Sequence, residues 1–252
     1  MCGICGILSK RPDRPTDPAL LERMNGALRH RGPDDAGFCD DGATGPRDRG
    51  TGEPGKPGRW AVGGGTPSGA RGSVVPSSRR PSLAMRRLAI IDLVTGHQPM
   101  ANEDGTLRLV FNGEIYNYRQ LRADLQARGH IFATASDTET ILHAYEEYGT
   151  ACVDHLDGMF AFALWDDCRE RLLLARDPFG IKPLYWTEMG DRLLFASEIK
   201  ALLQDGSVRR EVDHEAIHHY LTYLYVPSPR TLFAGIRKLP PGHRLIWEKG
   251  AL

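Results

Sequence analysis

Apolar positions recur along the chain with two spacings, and the switches between them lay out most of its elements. Residues 2–8 form a continuous apolar run of strand length, suited to a strand buried on both faces. Asp17-Pro18 then supplies a cap and a proline at the first helical position, and Leu20, Leu21, Met24, Ala27 and Leu28 recur at helical spacing, which puts that face in the core. Gly32-Pro33, within His30-Arg31-Gly32-Pro33-Asp34, ends the helix in a polar turn. Residues 83–91 read as an aliphatic strand carrying Arg86 and Arg87, and a charge inside such a strand needs a partner. Residues 107–111 are a second strand that runs straight into Asn112-Gly113-Glu114. Asn117 predicts the cap of a helix with Leu121 and Leu125 inward and Gly129 behind it. Ser136-Asp137-Thr138-Glu139 has the form of a capping box opening the next helix, with Ile141, Leu142 and Tyr145 inward and Gly149 at its end. Short strands are predicted over 159–165, 171–175, 182–186 and 192–196 as one meander, split by turns such as Asp177-Pro178 and Met189-Gly190. A helix over about 215–224, capped by Asp213, and a last strand near 245–247 complete the order. Helices fall in the gaps of a largely antiparallel strand set, so the pattern predicts an α+β fold with helices packed on sheets.

Composition narrows the classes open to such a fold. Lysine plus arginine and aspartate plus glutamate both number 32, so neither nucleic acid nor a membrane surface is an expected partner. No apolar run reaches the roughly 18–20 residues of a membrane span, and the first residues lack the basic stretch of a signal peptide, which predicts a cytoplasmic protein. The five cysteines are odd in number and scattered, which fits reduced thiols better than a disulfide framework. Cys2 and Cys5 form a C-x-x-C, yet a second pair is missing and the motif sits at the terminus, so no metal site is expected. Over 41–82 about two residues in five are Gly or Pro, above the range that marks low complexity, and the expectation is a disordered or poorly packed segment.

Candidate chemistry begins at Cys2, directly behind Met1. A small second residue permits removal of the methionine, after which one residue carries both a thiol and an α-amine. Their ordinary pKa values, about 8.5 and about 7.7–8.0, let a proton pass between nucleophile and base at little cost. The competing reading is a small buried hydrophobe in an N-terminal strand.

Cys2-Gly-Ile, His30-Arg-Gly-Pro-Asp34, Arg87-Leu-Ala-Ile-Ile-Asp92, Asn112-Gly-Glu-Ile-Tyr-Asn117, Ser136-Asp137 and Arg176-Asp-Pro-Phe-Gly-Ile-Lys-Pro-Leu-Tyr185 combine into something more specific. Together, and in this order, they resemble the N-terminal glutaminase domain of glutamine-hydrolysing asparagine synthetase, a class II glutamine amidotransferase of the N-terminal-nucleophile type. The resemblance covers nearly all of residues 1–252 except 41–82, which reads as an insertion. It implies a four-layer αββα sandwich of two antiparallel sheets. It also implies that Cys2 attacks the carboxamide of L-glutamine, with the Asn112 side chain and the Gly113 backbone N–H as oxyanion donors. Arg87 is implied as the clamp for the α-carboxylate, Asp137 and Glu114 as holders of the α-ammonium, and Leu88, Ile90 and Ile91 as backbone lining of the same pocket.

Each assignment has a plainer competitor. Arg87 is also a candidate for a salt bridge, Asp137 for a helix cap in competition with Ser136, and Asn112-Gly113 for a hairpin turn. Arg31 and Asp34 read as holding the turn that shapes the Cys2 pocket, and residues 177–182 as structural. No Ser-Gly-Gly-x-Asp-Ser loop of an ATP pyrophosphatase occurs, so ATP and magnesium are expected to belong to a synthetase domain or a separate synthetase subunit absent from these residues, and the chain to need no cofactor of its own. The ammonia acceptor stays open, with a non-aspartate acceptor or a non-catalytic glutamine sensor as alternatives. Self-association through an apolar face that would meet the synthetase is also left open.

Overall fold

The computed structural model describes residues 1–11, 13–39, 80–88 and 96–252. Strand alternation explains its layers. In β1 (Gly3–Ser9) all seven residues are buried because both faces are covered, with Ile4 and Leu8 turned to one layer and Cys5 and Ile7 to another. β3 (Ser82–Arg87) divides in the same way, Leu83 and Met85 on one face and Ala84 on the other. In β5 (Leu107–Ile115), Leu109 and Phe111 leave by one face and Val110 by the opposite one.

The strands form two antiparallel sheets. One contains, in spatial order, β10 (Arg237–Lys238), β8 (Tyr185–Met189), β9 (Arg192–Ala196), β1, β3 and β2 (Asp35–Cys39). The other runs β11 (Arg244–Glu248), β7 (Arg171–Arg176), β6 (Gly158–Asp166), β5 and β4 (Met100–Ala101). Ile4, Met85, Val110, Ala163, Trp165 and Phe195 fill the space between the sheets. The helices α1 (Pro18–Ala27) and α4 (Ile199–Leu202) cover the outer face of the first sheet through Leu21, Met24 and Leu202. The second sheet is covered by α2 (Tyr118–Ala127) and α3 (Asp137–Tyr148) through Leu121, Leu125, Ile141 and Tyr145. A further helix, α5 (His214–Tyr223), starts where the Asp213 carboxylate accepts the Ala216 N–H at 3.0 Å. The result is the four-layer αββα arrangement, and no described helix is long and apolar enough to cross a membrane.

Several local expectations need correction. The four strands from 158 to 196 are not one meander: β6 and β7 belong to one sheet and β8 and β9 to the other, so the chain changes sheets at residues 177–184. That crossing is built by Asp177, whose carboxylate accepts the N–H groups of Phe179, Ile181 and Lys182, and the strand expected over 182–186 therefore starts only at Tyr185. Asn117 precedes α2 without capping it, because its amide is spent on the His155 carbonyl and the Asp157 N–H. The capping box of α3 is half formed: Ser136 accepts from Thr138, while Glu139 turns back to Ala133 and Thr134. Most of 41–82 lies outside the described residues, but its end is ordered. Arg80 grips the buried Asp167 carboxylate through two nitrogens, and Ser82, already in β3, shares a hydrogen bond with the Thr16 hydroxyl.

Candidate active site

The alternation that sorts the core also aims the candidate residues. Cys2 lies two residues before Ile4 and faces the same way, Arg87 lies two after Met85, and Asn112 two after Val110, so three strands direct these side chains into one end of the space between the sheets. There they line a cavity of about 200 Å³, together with Leu88, Gly113, Glu114, Asp137 and Lys182. Cys5 sits an odd number of residues from Cys2 and projects to the α1 side, where complete burial pushes its thiol pKa up. The two halves of the C-x-x-C thus never meet.

Cys2 is held from both ends. The Arg31 guanidinium donates to the Cys2 carbonyl at 2.9 Å and to Glu198 at 2.9 Å, which ties the turn after α1 to the N-terminus. Gly32 in that turn passes so near β3 that a Cβ would overlap the Arg86 backbone, and the approach seats the turn beside Arg87. At the other end the Leu88 N–H points at the Cys2 sulfur, 3.3 Å away. Burial is the largest influence on the thiol and raises its pKa, opposed by the Leu88 N–H, the terminal amine, Arg87 and Lys182.

The second sheet contributes donors and carboxylates. Phe111 N–H goes to the Gln98 side chain at 2.7 Å and Ile115 N–H to Asp137 Oδ2 at 3.0 Å. Amides alternate in direction along an antiparallel strand, so Gly113 N–H, midway between these two, points away from β6 and toward the cavity. A Cβ on Gly113 would overlap the Met159 carbonyl of β6, so glycine is required by strand packing and not merely by access to the amide. Asn112 is 1% exposed, and its side-chain NH2 has no acceptor among the described residues. Ser136 is the cap of α3, which leaves Asp137 on the cavity wall, where burial raises its carboxyl pKa against the Ile115 hydrogen bond and the Glu114 carboxylate raises it further.

The chain matches the glutamine amidotransferase domain over residues 69–252. It belongs to that family. This amidotransferase domain is 38% identical to asparagine synthetase [glutamine-hydrolyzing] 1 of Bacillus subtilis over 244 residues, 96% of the chain and 33% of the relative. A second B. subtilis synthetase of the same kind, number 3, is 34% identical over 100% of the chain and 36% of its own length, so the domain spans about a third of such relatives. Among solved structures it resembles the glutamine phosphoribosylpyrophosphate amidotransferase of B. subtilis, with a TM-score of 0.57, 24% identity, and coverage of 84% of this chain and 45% of that one. The allosteric regulatory enzyme of purine biosynthesis gives a TM-score of 0.62 at 23% identity, over 97% of this chain and 46% of the other. These likenesses bear on the fold alone, and they agree with the two stacked sheets.

Of the residues read from the sequence, Cys2, Arg87, Leu88, Asn112, Gly113, Glu114 and Asp137 converge on the cavity, whereas Ile90 and Ile91 lie outside the described residues. Two contributors escaped that reading. Gln98 bridges the Phe111 N–H and the Thr138 hydroxyl from a stretch with no periodic signal. Lys182 was assigned to a structural segment, although its place in a shared motif was a usable signal.

Proposed function

We propose that this amidotransferase domain hydrolyses L-glutamine to glutamate and ammonia with Cys2 as nucleophile. The supporting observation is the buried Asn112 amide, a donor without an acceptor, in the same cavity as a thiol held by the Leu88 N–H. A buried unsatisfied donor costs about 1–3 kcal/mol, and that cost is recovered if an oxyanion forms beside it. The Cys2 sulfur attacks the γ-carboxamide carbon, the C–N bond breaks as the nitrogen takes a proton and leaves as ammonia, and water then cleaves the γ-glutamyl thioester. Asn112 Nδ2 and Gly113 N–H are the oxyanion donors. Arg87 takes the α-carboxylate, and Asp137 with Glu114 takes the α-ammonium. Removal of Met1 puts the α-amine on Cys2 itself, where it serves as the base.

The ammonia, in this reading, serves asparagine synthesis in a synthetase domain or subunit working in the cytoplasm, and ATP with magnesium belongs to that partner. In the test, the purified chain with Cys2 at its terminus should release glutamate and ammonia from glutamine, and Cys2→Ala should abolish release without changing the melting temperature. Release no faster than that of the Cys2→Ala variant would refute the proposal.

A further inference from the structure

Lys182 has no role in the scheme above, yet its environment is unusual. The residue is 6% exposed and lines the Cys2 cavity, and its ammonium has no hydrogen bond or ion pair among the described residues. A cation that lines a cavity and makes no ion pair there is left to interact with whatever enters the site. The backbone around it is fixed with care. Asp177, itself fully buried, accepts the Lys182 N–H at 3.0 Å, and Arg176 donates to the carbonyls of Lys182, Gly180 and Leu239 at 2.6–2.7 Å. The Arg176-Asp-Pro-Phe-Gly-Ile-Lys182 motif is thus a rigid bracket at the sheet crossing, and what it delivers to the cavity is one ammonium group.

Charge matching narrows the role. Arg87 on one side, and Asp137 with Glu114 on the other, already answer the two charges of a free amino acid. Lys182 then has no ion-pair partner among the described residues, and no charge of the substrate is left for it to answer until the reaction generates one. We propose that Lys182 is a charge-stabilising residue of the reaction, favouring the Cys2 thiolate and then the negative charge that attack transfers to the γ-carbonyl oxygen. This deepens the glutaminase reading and rests on it. Its positive charge also acts to lower the Cys2 thiol pKa, in company with the terminal amine and Arg87. The charged groups around that sulfur are therefore the terminal amine, Arg87 from β3 and Lys182 from the bracket, with Glu114 and Asp137 across the cavity and Arg31 on the Cys2 carbonyl.

The test compares the wild-type chain with Lys182→Met, Lys182→Gln and Lys182→Arg by two readouts. Alkylation of Cys2 by iodoacetamide, followed across pH by mass spectrometry of the N-terminal peptide, needs no glutamine and separates Cys2 from the exposed Cys168. Both neutral variants should move the alkylation midpoint up by about one pH unit, a loss of about tenfold in thiolate below it. Glutamine hydrolysis should lose kcat by about tenfold with KM unchanged, and Lys182→Arg should restore most of both. An unmoved midpoint with a raised KM would make Lys182 a grip on the substrate carboxylate and overturn the proposal, as would no change in either readout. Should one neutral variant fail to fold, the other is read by its alkylation midpoint. A wild-type chain that is alkylated normally but releases no glutamate would remove the glutaminase reading alone, because the midpoint shift still reports the Lys182 charge.

Discussion

Two groups of buried polar side chains in this molecule are constructed in opposite ways. On α3, His143 is 1% exposed, and both of its ring nitrogens face carboxylates. Its Nδ1 lies 2.8 Å from Glu146 and its Nε2 3.7 Å from Glu139. Glu139 also accepts the N–H groups of Ala133 and Thr134 at 2.7 Å and the Thr134 hydroxyl at 2.6 Å, and Glu146 accepts from Asn102 at 2.8 Å. In the Cys2 cavity, by contrast, the buried Asn112 NH2 has no partner among the described residues, and the Lys182 ammonium lines the cavity without an ion pair among them. Equal burial therefore has different meanings. The satisfied cluster fixes the helix and the loop before it, whereas the unsatisfied groups keep their bonding capacity for something that binds.

Removing a group from each cluster should separate activity from stability, and the larger effect belongs to the cavity. Asn112→Ala should lower kcat for glutamine hydrolysis by about 10²–10³, the loss typical of one oxyanion donor. Its melting temperature should hold or rise, since the lost amide had no bond to lose. A marked drop in melting temperature would mean that Asn112 is structural and that the contrast is false. Glu139→Ala should do the reverse, leaving kcat untouched and costing about 1–3 kcal/mol through orphaned donors, measurable by urea denaturation.

A gentler break of the same cluster is pH. Burial alone would depress His143, but the Glu139 carboxylate 3.7 Å from its Nε2 and the hydrogen bond with Glu146 outweigh it and raise the imidazole from an ordinary 6.5 to about 9. Burial likewise works to raise Glu139, yet His143, Thr134 and two backbone N–H groups hold it at about 2, below its ordinary 4.5. A raised histidine contributes stability in full below pH 6.5 and loses it as the pH climbs through 9. A depressed glutamate contributes in full above pH 4.5 and loses it as the pH falls through 2. The cluster should therefore stabilise most between pH 4.5 and 6.5, with melting temperature falling on both sides. The difference in melting temperature between wild type and Glu139→Ala should shrink toward both extremes, and a difference independent of pH would show that the charges are not what holds the cluster.

The contrast between these regions also separates what was legible in the sequence from what was not. Local signals survived wherever one short segment sets the outcome. Examples are the Asp17 cap with Pro18, the Ser136 cap, the Gly149 stop and the apolar faces of α2 and α3. The convergence of Cys2, Arg87 and Asn112 was readable only through a shared set of motifs, because residues from three strands meet through pairings that no single segment encodes. Long-range partners defeated local rules elsewhere. Asn117 looked like a cap until His155 and Asp157 claimed its amide, and Glu139 left the capping box for a loop in which two N–H groups needed an acceptor. The meander failed for the same reason, since nothing local in residues 177–184 states that the chain changes sheets. Lys182 reads as structural in the sequence because its place on the cavity wall without an ion pair is set by packing, which no local signal carries.

The smallest expected effect tests the alternation that aims the site. Cys2 lies directly before β1 and Cys5 three residues on within it, so extended backbone sends them to opposite faces, whereas a helix or a metal-binding loop would bring them together. Cys5 packs with Leu21, Met24 and Ala84 under α1, and its buried thiol is held protonated. Cys5→Ala should therefore leave kcat and KM unchanged and cost only about 1 kcal/mol, the scale of a small buried truncation. In the native protein, brief treatment with iodoacetamide should mark Cys2 and the exposed Cys168 and leave the buried Cys5, Cys39 and Cys152 untouched, with all five reacting in denaturant. Loss of activity in Cys5→Ala comparable to that in Cys2→Ala, with the fold intact by circular dichroism, would show that both sulfurs share the site. The strand register that places Arg87 and Asn112 beside Cys2 would then be wrong as well.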